Sequence, residues 1–222
     1  MKIRIQFEKL GTVRFTSHKD VVRIFERAFA AAGVPVAWSE GFHPHMRMSF
    51  GPPLRTGWES HEEFMDVTMD GSENGFAAAV NEKLPAGLRV TRVVAIDDRT
   101  PKLAADMFAV SMDVLVAADD APTDPAAVSS RISNRFLTTN HADTEPWVRE
   151  ADVVQSKDAL RIRYTSTMQN GRIVTPEDLV AAAIGDPELF RVPIKVVRLA
   201  QYVARGDRLV SPLDEGVVQA SI

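Results

Sequence analysis

The chain has 222 residues, of which 45% are hydrophobic and 25% charged, with a formal net charge of -4 and no cysteine. The length allows one large domain or two small ones, and the composition excludes disordered, fibrous and disulfide-rich classes. The lack of cysteine excludes thiolate-held iron–sulfur clusters, zinc ribbons and thiol catalysis. Residues 1–5 alternate charged and apolar side chains and no run of about 18 apolar residues could span a bilayer. We therefore expect a cytoplasmic protein with no membrane partner.

The first half of the chain alternates between strand and helix patterns. Residues 2–8 alternate apolar and polar side chains, which is the period of a half-buried strand. Ser17 and Asp20 form a capping-box pattern before an amphipathic helix over residues 18–32, which ends at Gly33. The remaining predicted elements of this half are a helix over 74–83 and strands over 34–39, 46–50, 62–69 and 88–96.

The same order of elements returns after a polar, proline-containing stretch over residues 97–102, which has the composition of a linker. The predicted elements are a strand over 108–116, a helix from Asp124, a hairpin of 147–154 and 159–166, a helix from Thr175 to Gly185 and a strand over 189–203. Each half thus follows the βαββαβ order of ferredoxin-like domains. We predict an α+β protein with two tandem ferredoxin-like domains and antiparallel sheets, over residues 1–98 and 104–203, followed by a flexible tail over 204–222.

Charge is unevenly distributed along the chain. Residues 1–57 carry nine basic and four acidic side chains, a local charge of +5, together with three histidines. This segment either attracts an anion or forms a solvated surface that carboxylates further along the chain balance.

Several short motifs in the first seventy residues occur together in one family. The residues that carry them are Ser17, His18 and Asp20; Arg23, Glu26, Arg27 and Ala28; Gly41, Phe42, Pro44 and His45; Ser49 and Phe50; and Gly57, Ser60 and Glu63. In these motifs the chain resembles the radical-SAM-linked domain family, bacterial domains of unknown function that are fused to, or encoded beside, radical S-adenosylmethionine (radical SAM) enzymes. His43 and Met46 depart from the Asn and Pro of the family pattern. The resemblance implies a radical SAM enzyme as partner, while the absence of cysteine means that this chain is not itself the radical catalyst.

Two sets of candidate site residues follow from the side-chain chemistry. Candidates for binding RNA or another anion, by forked hydrogen bonds to phosphate or by imidazole contacts, are His18, Arg23, Arg27, His45, Arg47 and Arg55. Candidates for a divalent metal, if the turn at residues 40–45 folds back over the first helix, are His18, Asp20, His43 and His45. Trp38 and Phe42 could stack on unpaired bases or serve as core or turn anchors. The arginines could equally form ion pairs on the helix surface.

Three functions remain open from the sequence. The favoured one is a non-catalytic accessory module without a cofactor that binds RNA beside a radical SAM enzyme in RNA modification or maturation. The alternatives are a small metal-dependent hydrolase or nuclease that uses the His and Asp side chains, and a protein–protein scaffold.

Overall fold

The chain folds into two compact units of mixed α/β structure. A computed structural model describes residues 1–117, 122, 124–137, 147–157, 159–185 and 194–214. Unit 1 comprises Met1–Met107 and Tyr202–Ile222, and unit 2 comprises Phe108–Gln201. The described residues form nine strands and five α-helices, and the strand pairs with a defined register are antiparallel.

Unit 1 contains a sheet whose strands follow the order β4-β1-β3-β2. Its elements are β1 (Lys2–Lys9), α1 (His18–Ala32), β2 (Met48–Phe50), β3 (Glu59–Thr68), α2 (Phe76–Asn81), β4 (Leu88–Ile96) and α3 (Leu103–Asp106). A 3-10 turn at Gly11–Phe15 leads from β1 into α1. β1 pairs antiparallel with both β3 and β4, and β2 pairs antiparallel with β3.

Local sequence explains the position of α1. The Ser17 hydroxyl accepts from the Asp20 backbone N–H at 3.2 Å, and the Asp20 carboxylate accepts from the Ser17 N–H at 3.1 Å, which completes the predicted capping box. The Ser17 hydroxyl, which also donates to the Asp20 carboxylate at 2.6 Å, and the Ser17 N–H together lower the pKa of the Asp20 carboxyl. At the other end Gly33 adopts φ +65°, a left-handed conformation that glycine takes at little cost. Capping therefore fixes both ends of the helix.

The core of unit 1 lies between the sheet and its helices. The apolar face of α1 places Phe25 and Phe29 on the sheet, where Phe25 meets Phe7 at a centroid distance of 4.8 Å. Phe29 contacts Phe76 of α2 at 5.4 Å. These edge-to-face and tilted ring contacts stabilise the packing of both helices against one face of the sheet.

The opposite face of this sheet carries a fully buried arginine. Arg4 on β1 donates to both carboxylate oxygens of Asp66 on β3, at 2.8 and 3.2 Å. Its remaining donors reach the carbonyl oxygens of Pro212 at 3.0 Å and Pro101 at 3.2 Å. Lys2 adds a second cation 3.4 Å from Asp66. One guanidinium thus ties two strands to two distant segments of the chain.

Unit 2 repeats the arrangement of strands and helices. Its elements are β5 (Met107–Ala117), α4 (Pro125–Ile132), β6 (Val148–Gln155), β7 (Ala159–Thr167), α5 (Pro176–Ile184) and most of β8 (Ile194–Arg205). The strands follow the order β8-β5-β7-β6, and a π-helical segment at Ser133–Leu137 extends α4. Tyr164 is buried on β7 and donates to the Val174 carbonyl at 2.9 Å, and burial raises the pKa of its hydroxyl well above the usual value.

The structure differs from the sequence-based expectation at three places. The strand predicted over residues 34–39 is reduced to two isolated bridges, of Val36 with Met69 and of Trp38 with Met46. The chain reverses direction just after Trp38, so the segment is too short for a continuous strand pairing. The short helix α3 follows the predicted linker. Within the predicted tail, β8 runs to Arg205, β9 (Arg208–Val210) pairs with it and Leu213 is fully buried, whereas residues 215–222 lie outside the described part of the chain.

Removing the buried guanidinium should destabilise the protein strongly. In Arg4→Met, Asp66 loses its forked partner, and the carbonyl groups of Pro212 and Pro101 lose a donor. We expect the free energy of unfolding to fall by about 3–5 kcal/mol, measured by urea denaturation. Arg89→Met, an exposed arginine on β4, is the matched control and should stay within about 0.5 kcal/mol of the wild type. Equal effects of the two substitutions would contradict this role for Arg4.

Candidate functional site

Residues 37–47 form a protruding hairpin, which we call the aromatic hairpin. The Arg47 N–H donates to the Ala37 carbonyl and the Ser39 N–H to the His45 carbonyl, both at 2.8 Å. Trp38 and Met46 form an antiparallel bridge between these bonds. The backbone of 37–39 therefore runs against that of 45–47, and residues 40–44 form the loop at the tip.

The aromatic hairpin exposes two large aromatic side chains. Phe42 at the tip is 99% exposed, and Trp38 on its stem is 57% exposed. Gly41 adopts φ +115°, which favours glycine at the turn before Phe42. This exposure shows that neither side chain is a core anchor, which leaves a stacking surface and a turn anchor as the two roles.

Two open hollows flank the aromatic hairpin. The first, of about 280 Å³, is bordered by residues of β1, β2, β3 and the hairpin, and its polar side chains are Lys2, Ser39, His45, Arg47, Ser49, Asp66 and Thr68. The second, of about 400 Å³, is lined by Trp38, Ser39, Glu40 and Arg47. Arg47 borders both hollows and forms no ion pair or side-chain hydrogen bond with any described residue. It is thus available to an anion in either hollow.

The imidazole of His45 is held in a fixed orientation. Its Nδ1 lies 2.9 Å from the Ser39 hydroxyl and 3.4 Å from the His43 carbonyl, while its backbone N–H donates to the same hydroxyl at 3.0 Å. These contacts occupy Nδ1, so Nε2 is the ring nitrogen left for a ligand. His45 lines the first hollow beside Arg47.

The other predicted anion-binding residues lie outside this hairpin. Arg23 and Arg27 are exposed on α1, with Arg23 at 3.9 Å from Asp20. Arg55 covers the Trp58 ring at 5.5 Å. Neither helix arginine bonds to the aromatic hairpin among the described residues, so the structure joins His45 with Arg47 but not with Arg23 or Arg27.

The predicted metal candidates do not form one group. The Asp20 carboxylate accepts from Ser17, including the Ser17 hydroxyl at 2.6 Å. His18 places its ring edge-on against Phe50, at a centroid distance of 5.2 Å. Within the described part of the chain, no three His, Asp or Glu side chains stand close enough to hold a metal ion, which includes the set His18, Asp20, His43 and His45.

A second, smaller site lies beneath the start of α1, where three of the motif residues meet. His18, Phe50 and Glu63 line a cavity of about 20 Å³ together with Lys9. Lys9 is only 2% exposed, and its ammonium donates to the Thr16 carbonyl at 2.9 Å. A cavity of this size holds about one water molecule. Sequence reasoning missed Lys9, although it occupies the apolar register of Ile3, Ile5 and Phe7, which was the available signal.

Burial changes the acidity of this lysine. Desolvation lowers the pKa of the Lys9 ammonium, and the nearby Glu63 carboxylate raises it in part. The charged form is therefore less favourable here than in the unfolded chain.

Three arginines on the strands of unit 2 are paired or buried. Arg161 binds Asp113 at 2.8 Å and Arg163 lies 3.6 Å from the same carboxylate. Arg198 is only 3% exposed.

Comparison with known proteins assigns the chain to a family. Residues 2–179 match the family model described as "Uncharacterized protein conserved in bacteria (DUF2344)". The chain belongs to this family. No curated protein matches it. Among solved structures, it is similar to a chain of a "Cbf5-Nop10-Gar1 Complex" crystal structure, with 7% identity and a TM-score of 0.45, over 90% of this chain and 48% of the other. The chain thus spans about half the length of that protein.

In the described ranges, no helix is both long enough and apolar enough to cross a bilayer.

The buried ammonium of Lys9 should make stability depend on alkaline pH. Because its pKa is lowered in the folded state, the unfolded chain binds more protons, so stability rises as the pH increases from the lowered pKa toward the ordinary value of 10.5. In Lys9→Met this rise should be absent, which urea unfolding at a series of alkaline pH values would measure. Lys157→Met, at an exposed lysine, should keep the wild-type slope; an unchanged slope in Lys9→Met would refute the assignment.

Proposed function

We propose that this chain is a non-catalytic accessory module that binds unpaired RNA through the aromatic hairpin. The observation that carries the proposal is the combination of Trp38 and Phe42, both exposed, with Arg47, which has no ionic partner among the described residues. The exposure of Phe42 and Trp38 leaves the faces of both rings accessible to a ligand.

The chemistry of the hairpin suits single-stranded RNA. Every base has a π-face that can stack on Trp38 or Phe42, and this stacking tolerates any sequence. Arg47 supplies a cation beside the Trp38 hollow, where the phosphate of a stacked nucleotide would lie. Duplex RNA offers stacked, inward-facing bases and would not gain this energy.

Positive charge elsewhere in unit 1 supports the same interpretation. Within the basic segment 1–57, Lys2, Arg4 and Arg14 already pair with Asp66 or Glu59. Arg23 and Arg27 remain exposed on the polar face of α1 and create a local positive field. Such a field raises the rate at which a polyanion is captured and adds contacts that depend on salt. We assign Arg23 and Arg27 to this long-range attraction and the hairpin to the base contacts.

The partner in this proposal is a radical SAM enzyme. This part rests on the motif resemblance, in which His18, Phe50 and Glu63 take part. The chain has no cysteine with which to hold a cluster, so we assign the radical chemistry to the partner and RNA recognition to this chain.

We also propose that both units are ferredoxin-like domains. The order β4-β1-β3-β2 in unit 1 and β8-β5-β7-β6 in unit 2 supports this, since each unit places its first strand between its third and fourth. Ferredoxin-like sheets host many unrelated functions, so this fold adds nothing to the case for RNA.

Stacking on the hairpin can be tested directly. Trp38→Ala should weaken binding of a short single-stranded RNA by about 1–3 kcal/mol for the stacked base that is lost, and Phe42→Ala should have a similar effect. Fluorescence anisotropy of labelled RNA measures both. Trp147→Ala, at a partly exposed tryptophan of unit 2, is the matched control and should bind as the wild type does. Equal affinities of all four proteins would refute a stacking role for the hairpin.

Partner capture separates the RNA-binding module from a scaffold. We expect a pull-down from native lysate to recover RNA together with a radical SAM enzyme. Ribonuclease should release the RNA, and Trp38→Ala should recover less of it than Trp147→Ala. Recovery of an enzyme partner with no RNA, unchanged by ribonuclease and high salt, would instead favour the scaffold.

A further inference from the structure

The first hollow beside the aromatic hairpin is lined by more hydrogen-bond donors than the surrounding protein groups accept from. Strand register brings the donors together: on β1 and β3, Lys2 lies opposite Thr68 and Arg4 opposite Asp66, while Ser49 of β2 lies on the other side of Asp66. The hollow has a volume of about 280 Å³, close to the lower end of the range of about 300–1,000 Å³ for small-molecule sites.

Most of these donors have no protein acceptor in the described part of the chain. The Arg47 guanidinium and the hydroxyls of Ser49 and Thr68 make no side-chain bond there. The Nδ1 of His45 faces Ser39, which leaves its Nε2 for a ligand. The hollow thus offers a fork of N–H donors, two hydroxyl groups and an imidazole nitrogen.

The fixed charge of the hollow is positive. Asp66 is the carboxylate that borders it, and both of its oxygens accept from the buried Arg4. The Lys2 ammonium also lies 3.4 Å from the Asp66 carboxylate. Arg47 therefore adds a positive charge that Asp66 does not offset. Glu40 lies in the adjoining hollow and forms no ion pair with Arg47.

We propose that this hollow is a phosphomonoester site, which binds a terminal phosphate through Arg47, Ser49, Thr68 and His45. A phosphomonoester carries about −1.5 to −2 charges and three strong acceptor oxygens, whereas an internal phosphodiester carries one charge and presents fewer free oxygens. The three oxygens can accept from the Arg47 guanidinium and from the hydroxyls of Ser49 and Thr68. The second negative charge of the phosphate suits the net positive charge of the hollow.

The adjoining hollow explains how the rest of the ligand is held. It is lined by Trp38 and shares Ser39 and Arg47 with the phosphate site. A nucleotide whose phosphate binds at Arg47 would therefore place its base within reach of the Trp38 ring. The ligand class is a nucleoside monophosphate group, carried either by an RNA end or by a free nucleotide. The RNA end deepens, and rests on, the function proposed above.

The experiment compares one short RNA in two forms, with a terminal phosphate and with a terminal hydroxyl, and adds adenosine monophosphate and inorganic phosphate as competitors. We expect the phosphorylated RNA to bind the wild type at least about tenfold more tightly, because its terminal phosphate adds a charge-assisted forked contact with Arg47. Arg47→Gln should abolish most of that preference. Ser49→Ala combined with Thr68→Val, which keeps every charge, should reduce it. Arg89→Gln is the matched control and should leave it intact.

The outcomes separate this inference from the proposed function. If wild-type protein binds both RNA forms equally, the phosphate site is wrong while RNA binding stands. If adenosine monophosphate binds in an Arg47-dependent way and neither RNA binds, the site stands with a free nucleotide as ligand and the RNA function is wrong. If Arg47→Gln and Arg89→Gln lower the preference equally, only general charge acts and the site is refuted.

Discussion

The arrangement of unit 1 depends on one buried guanidinium. Arg4 is 0% exposed, and a charge in that position is tolerated only when its donors are bonded and a counter-charge is in contact. Asp66 supplies the counter-charge, while the carbonyl groups of Pro101 and Pro212 accept the remaining bonds. Two chain segments that are more than a hundred residues apart in sequence must therefore reach the same face of β1. This requirement explains why residues after β8 fold onto unit 1 instead of forming a loose tail.

The same ion pair determines the electrostatics of the first hollow beside the aromatic hairpin. Asp66 borders the hollow, yet its oxygens already accept from Arg4. The buried guanidinium therefore largely compensates the negative charge of this carboxylate. Without Arg4, this carboxylate would instead draw Arg47 inward or repel an anion. A residue with no surface exposure thereby sets the charge of this hollow, so the stability of unit 1 and the electrostatics of its surface depend on one interaction.

Sequence patterns predicted local structure well and long-range contacts poorly. The period and caps of residues 18–32 predicted α1 with the bounds that the structure has, and the β-branched run predicted β4 equally well. Alternation also placed Arg4 on the polar side of β1, correctly, but gave no sign that this side is buried, because its partner Asp66 lies 62 residues away. In the candidate site, the sequence singled out His45, Arg47, Trp38 and Phe42. That Lys2, Ser49 and Thr68 lie beside them depends on the register of β1, β2 and β3, and a local sequence pattern does not predict strand register.

The motif residues are better explained by position than by chemistry. His18, Phe50 and Glu63 surround a cavity that admits about one water molecule, which leaves no room for a substrate. What these contacts do is fix β2 against the start of α1, through the His18 ring on Phe50. β2 begins one residue after Arg47, so whatever holds β2 also holds the base of the aromatic hairpin. Glu63 and Asp66 thus lie on the two faces of β3: Glu63 lines the small cavity beneath α1, and Asp66 borders the open hollow beside the aromatic hairpin.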